Sequence, residues 1–465
     1  MRDLKLWIPV LAFFISFAAT YPGSIILKDE ANYIRQASAF AMGDIHVKYV
    51  NPVTQERTEV RPSEYPPGTS LITAPFISIG GWHAAHWMPA IALVLAILFT
   101  AFLLKIAGYH PAYSLLLFIF PPALVMARVV SSDVISATFV ALGWLLFWKG
   151  ISKKSAPGAS LLFLSGFVAG ISMLIRETNA LLFVPLFLGA LIRKDRGWNW
   201  ILVGGLLGLS IRLFASYLVF GDPMFAKENA GFSFYAISNN ILLYLVALTI
   251  FAPGGLLFAA LYKGKRRYEV ISTVYIFFIF YLVYNSGYET SGFLKSLALG
   301  PRFFIPLLPI MALAMAESVP RLFNPIFLKF KRRQFILRGG LLLITSGIIL
   351  TNVLLHEWAE VHENIQEKIE EHVPENSAVI TNFQATLKYV SELQGYPARV
   401  NFFELTPEEA EQIGDAYIIF VQRSESTYWR ETAGSENRFL ECIPTEPVFN
   451  QEYLDNYHLK IYRTN

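Results

Sequence analysis

Two adjacent carboxylates, Asp29 and Glu30, directly follow the first long apolar run of this 465-residue chain. A charged side chain is costly at the depth where a helix leaves a bilayer, so its presence there is by default a sign of function. The two residues therefore indicate chemistry at a bilayer surface. The alternative is that Asp29 and Glu30 mark only the water side of a helix end.

The composition indicates a protein that crosses a membrane many times. Hydrophobic residues make up 54% of the chain and charged residues only 16%, whereas soluble domains carry roughly 25% charged residues. The single cysteine, Cys442, excludes an internal disulfide framework and a cysteine-based zinc site. Residues 356–465 hold 20 acidic and 8 basic side chains. The sequence thus divides into a basic membrane domain, 1–355, and an acidic tail, without a nucleic-acid-binding module.

Eleven apolar runs approach the length of about twenty residues that a helix needs to cross a bilayer. An odd number of crossings that starts with Arg2 and Lys5 in the cytoplasm places every strongly basic loop on that side, as the positive-inside rule requires. The first run is too long for a signal-peptide core and is predicted to be retained. The runs are 6–27, 88–107, 111–129, 134–149, 159–175, 178–192, 198–219, 240–262, 269–286, 302–318 and 336–355.

The long external loop, 28–87, is predicted to carry surface helices. Tyr33, Ala37 and Phe40 recur at helical spacing, which predicts an amphipathic helix over 29–43 that lies on the surface and ends at Gly43. The same alternation of crossings places other segments on the external face, namely the turns at 130–133 and 176–178, the loops at 220–239 and 287–301, and the tail.

The tail, 356–465, is predicted to form a small α/β domain on the external side. A charged helical stretch, 356–372, is followed by alternating strand and helical segments, which favours a parallel sheet. The tail contains no glycine-rich phosphate loop and no nucleophile elbow in its sequence. Its expected role is to recognise an acceptor or to cover an active site. The segments that carry the pattern are Ala378–Thr381, Arg399–Phe403 and Ala416–Val421.

Five segments, in this order and on this side of the membrane, resemble a known group of enzymes. They are Asp29-Glu30-Ala31-Asn32-Tyr33, Tyr65-Pro66-Pro67-Gly68, Ala127-Arg128-Val129-Val130-Ser131-Ser132-Asp133, Arg176-Glu177-Thr178-Asn179 and Pro301-Arg302-Phe303-Phe304-Ile305-Pro306-Leu307-Leu308-Pro309. The chain is similar in these segments to the GT-C superfamily of integral membrane glycosyltransferases, within the branch of protein O-mannosyltransferases and aminoarabinose transferases. The resemblance covers residues 1–320 and leaves the tail outside it.

The apolar runs and the tail pattern together predict an α-helical membrane protein of about 11 transmembrane helices with a small C-terminal α/β domain, and the resemblance implies that its membrane domain is GT-C-like. Such enzymes take a sugar from a polyprenyl-phosphate carrier on the extracytoplasmic face and pass it to a lipid, glycan or protein acceptor. The expected location is a prokaryotic plasma membrane. The reaction needs a base for the acceptor hydroxyl, positive charge for the departing phosphate and an apolar groove for the lipid tail.

The resemblance also implies roles for the acidic residues. Asp29 matches the catalytic acidic position and is expected to act as the general base, with Glu30 as a partner that binds or orients the acceptor. Attack in one step would invert the anomeric carbon. Asp133, the second acidic position, is expected to share a divalent metal cation with Asp29 or to orient a substrate hydroxyl. The alternative for Asp133 is an ordinary helix N-cap. Tyr33 and Tyr65 are expected to contact substrate or metal.

Arg176 and Arg302 are expected to bind the donor phosphate, because a guanidinium group is permanently charged and can bind phosphate oxygens in a bidentate manner. Both fall on the predicted external face, where basic residues are otherwise disfavoured. Two alternatives are open: Arg176 pairs with its neighbour Glu177, or Arg302 extends from a helix end to the membrane interface. Weaker candidates for the same role are Arg128, Lys227 and Lys295.

Histidines offer a weaker hypothesis of metal binding. His83 and His86 lie one helical turn apart, a spacing that could hold a metal ion, and His46 is a further candidate ligand. Aromatic and histidine side chains near a helix start are more often interfacial anchors, as Trp82 and Trp87 are expected to be.

Two functions from other classes compete with sugar transfer. A polytopic transporter or lipid flippase would also have many crossings, but it should show paired repeats, and no convincing repeat relates 1–230 to 231–355. A non-enzymatic membrane scaffold that displays the acidic tail would leave the external carboxylates and arginines without a reason to exist.

Overall fold

The chain forms two compact units in the computed structural model. The helical unit comprises Met1–Thr20, Pro66–Thr69 and His86–Val353, and the sheet unit comprises Tyr21–Tyr65, Ser70–Ala85 and Leu354–Asn465. The structure describes residues 4–25, 27–50, 57–60, 63, 65–153, 156–195, 197–225, 231–252, 254–284, 300–327, 333–374, 378–381, 399–401, 416–423, 446–453 and 457–463.

The helical unit is built from apolar helices joined by short turns. Five described helical segments are long and apolar enough to cross a membrane: Trp82–Ala107, Ser132–Ser152, Trp198–Phe220, Gly300–Phe323 and Gly340–Ile369. Further helices are Leu4–Ala19, Leu116–Ile119, Pro121–Met126, Ala156–Ser172, Ala180–Ile192, Ala236–Phe251, Gly255–Ala260, Arg267–Val283 and Leu308–Phe327, with 3₁₀ turns at Trp82–His86, Pro111–Leu115, Glu177–Asn179 and Gly300–Leu307. The predicted class, a multispanning helical membrane protein, is confirmed.

Two of the eleven predicted runs are interrupted in the structure. The run 111–129 divides into three short helical pieces, because Pro121 and Pro122 begin a new helix after an extended Phe120. The run 240–262 likewise ends one helix at Phe251 and begins another at Gly255. Apolar length alone does not register such breaks, so the number of crossings stays a prediction.

Glycine allows two helices of the helical unit to pack at close range. Gly166 and Gly170 on helix Ala156–Ser172 face Gly204 and Gly208 on helix Trp198–Phe220, and an added Cβ atom at any of the four would meet backbone of the other helix. Small residues four apart on both helices are the usual device for close approach within a membrane. This pair therefore depends on the absence of side chains at its interface.

Substitution of Gly204 by alanine is expected to lower the apparent melting temperature of the detergent-solubilised protein. The new Cβ atom would lie 2.9 Å from the carbonyl carbon of Phe163 and from the amide nitrogen of Phe167. Overpacking of this kind costs about 1–3 kcal/mol, more than the gain of roughly 1 kcal/mol in helix propensity. Gly205→Ala is the matched control, since its Cβ atom would lie 3.7 Å from the nearest backbone atom. Equal melting temperatures for the two variants would contradict this packing.

Charged contacts gather predicted cytoplasmic loops at one end of the helical unit. Arg266 lies 2.5 Å from Asp195, Arg193 lies 3.1 Å from Glu269, and the amide of Lys263 donates to the Glu317 carboxylate at 3.2 Å. The grouping of these loops agrees with the alternation of crossings read from the sequence. Which end of the unit faces the cytoplasm stays a prediction.

The sheet unit contains the helices Lys28–Ala41 and Gly68–Gly80, the latter shared in its first turn with the helical unit. The predicted helix over 29–43 is confirmed as an element, and it ends where Gly43 adopts a positive φ of 77°. It does not lie on the protein surface as predicted: residues 30–39 are at most 8% exposed. The strands Val47–Val50 (β1) and Arg57–Val60 (β2) pair antiparallel in the following segment.

The tail forms a five-stranded sheet within the sheet unit. The strands are Ala378–Thr381 (β3), Arg399–Asn401 (β4), Ala416–Arg423 (β5), Phe449–Tyr453 (β6) and Tyr457–Arg463 (β7), in the order β4-β3-β5-β7-β6. The first three strands pair in parallel, in agreement with the prediction. The other edge of the sheet differs from the predicted parallel arrangement. There β7 pairs antiparallel with both β5 and β6, and β6 and β7 are close enough in sequence for a short connection.

One long helix, Arg333–His372, reaches from the helical unit into the sheet unit without a break. In the tail it presents Val361, Ile365 and Ile369 at a spacing of four residues, and Val373 follows directly after its last residue. These side chains pack against alternate residues of β5 and β7, which all point to one face of the sheet: Tyr417, Ile419, Val421, Leu459 and Ile461. The small α/β domain is therefore confirmed.

Candidate active site

Asp29 lies at the centre of a small polar cluster in the sheet unit. The hydroxyl of Tyr65 donates a hydrogen bond of 2.6 Å to Oδ1 of Asp29. The rings of Tyr33 and Tyr65 lie 4.8 Å apart, and the hydroxyl of Ser70 donates to the backbone carbonyl of Tyr33 at 3.0 Å. The structure thus brings together three of the predicted site residues, namely Asp29, Tyr33 and Tyr65.

Helix Lys28–Ala41 positions this cluster because Asp29 and Tyr33 lie one turn apart on it. Asp29 and Glu30 occupy its first turn, where the positive end of the helix dipole stabilises carboxylates. Asp29 is partly exposed, whereas Glu30 is fully buried. The two adjacent carboxylates therefore have different surroundings, as their different predicted roles require.

Helix Lys28–Ala41 is unusual in that it buries polar residues on several sides. Glu30, Asn32, Arg35, Gln36 and Ser38 are all at most 8% exposed. Among the described residues, neither amide atom of Gln36 has a hydrogen-bond partner, although buried amides are normally paired. Gln36 is not among the residues predicted from the sequence, although it is seven residues from Asp29 and therefore on the same helical stripe.

Asp133 forms an ion pair with Arg176 in the helical unit. Its side chain is 5% exposed and that of Arg176 is 13% exposed, so water screens the pair weakly. Asp133 is not the N-cap of its helix: Ser131 occupies that position, and Asp133 lies in the first turn. The side chain of Asp133 reaches across to a second segment, which an N-cap role does not require.

The carboxylate of Glu177 has an ion-pair partner other than its neighbour in sequence. Its carboxylate lies 3.9 Å from Arg212, whose guanidinium also donates to the carbonyls of Pro223 and Phe225 at 2.8 and 3.0 Å. Burial raises the pKa of Glu177 above its ordinary value, and a backbone hydrogen bond and the charges of Arg212 and Arg176 oppose that rise in part. Arg176 is thus directed toward Asp133 and not toward its neighbour in sequence.

Two guanidinium groups contact one aromatic ring at this end of the helical unit. The guanidinium carbon of Arg176 lies 5.1 Å from the centre of the Phe303 ring, and that of Arg302 lies 5.4 Å from the same centre. The ring of Tyr281 is stacked on Phe303 at 5.0 Å, and its hydroxyl lies 3.3 Å from Thr178. The two arginines predicted to bind phosphate are therefore brought together, in a setting that suits cation–π attraction.

Backbone and amide contacts hold the segments that carry these groups. Asn179 is fully buried, and its amide donates to the hydroxyl of Ser136 at 3.2 Å and to the carbonyl of Ser172 at 3.0 Å. Because Ser136 is three residues beyond Asp133 and Asn179 three beyond Arg176, this bond ties together the two segments of the ion pair. The amide of Asn240 likewise donates to the backbone carbonyl of Tyr281 at 3.2 Å.

Arg128 has partners of a different kind. It is 4% exposed, and its guanidinium donates to the hydroxyl and the backbone carbonyl of Thr20 and, at 3.1 Å, to the side-chain oxygen of Asn352. These contacts join the end of the first helix to the last helix of the helical unit. Phosphate binding by Arg128 stays a prediction, and Lys227 and Lys295 lie outside the described residues.

The candidate metal ligands are dispersed. His86 contacts the backbone carbonyl of Arg128 at 3.1 Å, whereas the ring of His83 stacks on Trp82 at 3.6 Å. The backbone amide of His46 bonds to Asp44 at 3.4 Å. In the part of the chain that the structure describes, no group of three or more His, Cys, Asp or Glu side chains could hold a metal ion.

The two acidic residues predicted to share a cation belong to different units, Asp29 to the sheet unit and Asp133 to the helical unit. Asp133 is already paired with a guanidinium group, which would repel a divalent cation. The ion pair with Arg176 is the alternative use of the Asp133 carboxylate, and a cation shared by Asp29 and Asp133 stays a prediction.

The fold is shared with a membrane protein of known structure. The crystal structure of ArnT from Cupriavidus metallidurans bound to undecaprenyl phosphate aligns with a TM-score of 0.65 and 14% identity, over 99% of this chain and 97% of that one. The apo form aligns with the same score and coverage at 16% identity. The apo oligosaccharyltransferase of Archaeoglobus fulgidus aligns with a TM-score of 0.49 at 12% identity, over 90% and 70% of the chains.

No family model matches the sequence, and no curated protein matches it either. At this low identity, the alignment with ArnT shows a common fold over nearly the whole of both chains. The chain is a multispanning helical membrane protein that shares its fold with ArnT. The predicted fold is confirmed, and it includes the tail, which the motif resemblance did not cover.

Proposed function

We propose that this chain is a glycosyltransferase that moves a sugar from a polyprenyl-phosphate donor to an acceptor hydroxyl on the extracytoplasmic face of the membrane. The observation that carries the proposal is the placement of Arg176 and Arg302 on the ring of Phe303. It occurs in a chain with the fold of ArnT, which was crystallised with undecaprenyl phosphate. Two guanidinium groups at one site suit the phosphate of such a donor.

In this proposal, Arg176 and Arg302 bind the donor phosphate and stabilise the negative charge that develops as it departs. Asp133 is the counter-ion of Arg176 and holds its guanidinium in place before the donor binds. The phosphate leaves with the electron pair of the broken bond between the anomeric carbon and oxygen, which releases polyprenyl phosphate.

Asp29 acts as the general base. It accepts the proton of the acceptor hydroxyl while that oxygen attacks the anomeric carbon, and a single displacement inverts the configuration of this carbon. The hydrogen bond from Tyr65 fixes the orientation of the Asp29 carboxylate. Glu30 and Tyr33 are expected to bind or orient the acceptor.

Transfer by the purified full-length protein tests the proposal. The protein is incubated with undecaprenyl phosphates that carry different sugars and with a mixture of lipid, glycan and peptide acceptors. We expect release of undecaprenyl phosphate together with glycosylated acceptor, detected by mass spectrometry, for at least one donor. Undecaprenyl phosphate should bind the protein and inhibit transfer as a product.

The competing function predicts a different result. A transporter or flippase would move the intact lipid-linked sugar across the bilayer of a proteoliposome and would leave its glycosidic bond unbroken. Translocation without transfer, for every donor and acceptor tested, would contradict the proposed function. The choice of acceptor, whether lipid, glycan or protein, is decided by the same mass spectra.

A further inference from the structure

The ring of Phe303 lies against two cationic groups that come from separate segments of the helical unit. Arg302 is its neighbour in the 3₁₀ segment Gly300–Leu307, whereas Arg176 precedes the turn Glu177–Asn179. Both guanidinium carbons lie within 5.4 Å of the ring centre. Arg176 also lies 5.8 Å from the ring of Tyr281, which is nearly parallel to Phe303, with 6° between the planes.

Two guanidinium groups that lie within 5.4 Å of one ring centre repel each other, so the structure must offset that repulsion before an anion arrives. The carboxylate of Asp133 provides one offset, since it pairs with Arg176. An aromatic ring provides a second, because its face carries partial negative charge that attracts cations. The contacts of Phe303 with both groups make its ring the element that the two arginines have in common.

We infer that Phe303 is a positioning residue for the donor phosphate, in that its aromatic face sets the separation and orientation of Arg176 and Arg302. The inference rests on the proposed function and adds a determinant of donor affinity that carries no charge. Tyr281 stacks on this ring and also lies beside the Arg176 guanidinium, and its hydroxyl contacts Thr178 two residues beyond Arg176. The two segments that supply the guanidinium groups are therefore coupled through stacked rings.

The neighbouring Phe304 offers a matched comparison. It is fully buried, and its described ring contacts are with other aromatic rings, including Tyr244 at 5.0 Å and Tyr281 at 5.7 Å. The two phenylalanines thus share the same short segment and the same residue type. Phe303 contacts guanidinium groups, whereas Phe304 packs in the aromatic core.

The test compares Phe303→Leu, Phe303→Trp and Phe304→Leu in the full-length protein. For Phe303→Leu we expect a roughly tenfold weaker dissociation constant for undecaprenyl phosphate, equivalent to about 1.4 kcal/mol and within the range of cation–π attraction. The KM for the sugar donor should rise by a similar factor while kcat changes little. Phe303→Trp keeps an aromatic face and should restore most of the affinity.

Phe304→Leu should lower the melting temperature and leave the dissociation constant for undecaprenyl phosphate unchanged. If Phe303→Leu binds the lipid as tightly as the wild type, or if Phe303→Trp binds as weakly as Phe303→Leu, the inference is wrong and the proposed function stands. If the wild-type protein does not bind undecaprenyl phosphate, the proposed function fails and the inference fails with it. Binding is measured by titration in detergent, so the result does not depend on knowing the acceptor.

Discussion

Replacement of Asp29 by asparagine is expected to lower kcat for sugar transfer by roughly 10²–10⁴-fold, the contribution typical of a positioned general base. Asparagine has nearly the same shape, and its carbonyl oxygen can still accept the hydrogen bond from Tyr65. The variant removes the ability to take a proton and little else. KM for the donor should therefore change much less than kcat.

Comparison with Tyr65→Phe distinguishes loss of the general base from loss of the hydrogen bond that orients it. Loss of the Tyr65 hydroxyl leaves the Asp29 carboxylate charged but less firmly oriented, so we expect a decrease of about tenfold in kcat, the lower end for one hydrogen bond to a charged group. Initial rates of undecaprenyl phosphate release give both values. Equal turnover in Asp29→Asn and the wild type would exclude Asp29 as the base and would restore its interpretation as a helix-end charge.

The local structure around Asp29 follows from the sequence to a large extent. Helical spacing predicted the helix over 29–43, and Gly43 ends it because glycine adopts a positive φ at low cost. The sequence did not predict that this helix is buried. Its polar side chains gave it the appearance of a surface helix, and the elements that enclose it are distant in the chain.

The partners of the charged residues were harder to predict than their identities. Asp133 and Arg176 were both selected from the sequence, yet their contact joins residues 43 positions apart. Sequence proximity favoured Glu177 as the partner of Arg176 and an N-cap role for Asp133. The fold decides otherwise, because it places the turn after one helix beside the start of another.

Aromatic residues near the arginines were missed for a different reason. Phe303 belongs to one of the segments that carry the family resemblance, but 15% of the chain is aromatic, so one more phenylalanine carries little information. Its adjacency to Arg302 was the available signal. Contacts with the guanidinium of Arg176 and with Tyr281 appear only when three segments are brought together.

Replacement of Arg176 by methionine is expected to reduce both stability and transfer strongly. The carboxylate of Asp133 would lose its ion-pair partner at a site where its side chain is 5% exposed, and breaking a buried ion pair in this way costs about 3–5 kcal/mol. Loss of one of two guanidinium groups should also weaken transition-state stabilisation of the departing phosphate by roughly 10²–10³-fold.

A double variant distinguishes the two effects. Arg176→Met combined with Asp133→Asn removes both charges, and replacement of a buried pair by neutral groups is often close to neutral for stability. We expect the melting temperature of the double variant to recover toward the wild-type value while transfer stays low.

If transfer recovers together with stability, Arg176 serves the fold and the phosphate role is wrong. If neither single nor double substitution changes donor KM or kcat, the ion pair lies outside the site. Melting temperatures in detergent and initial rates are measured for the wild type, the single variants Arg176→Met and Asp133→Asn, and the double variant. Only a coupled pair of residues gives non-additive effects in this comparison.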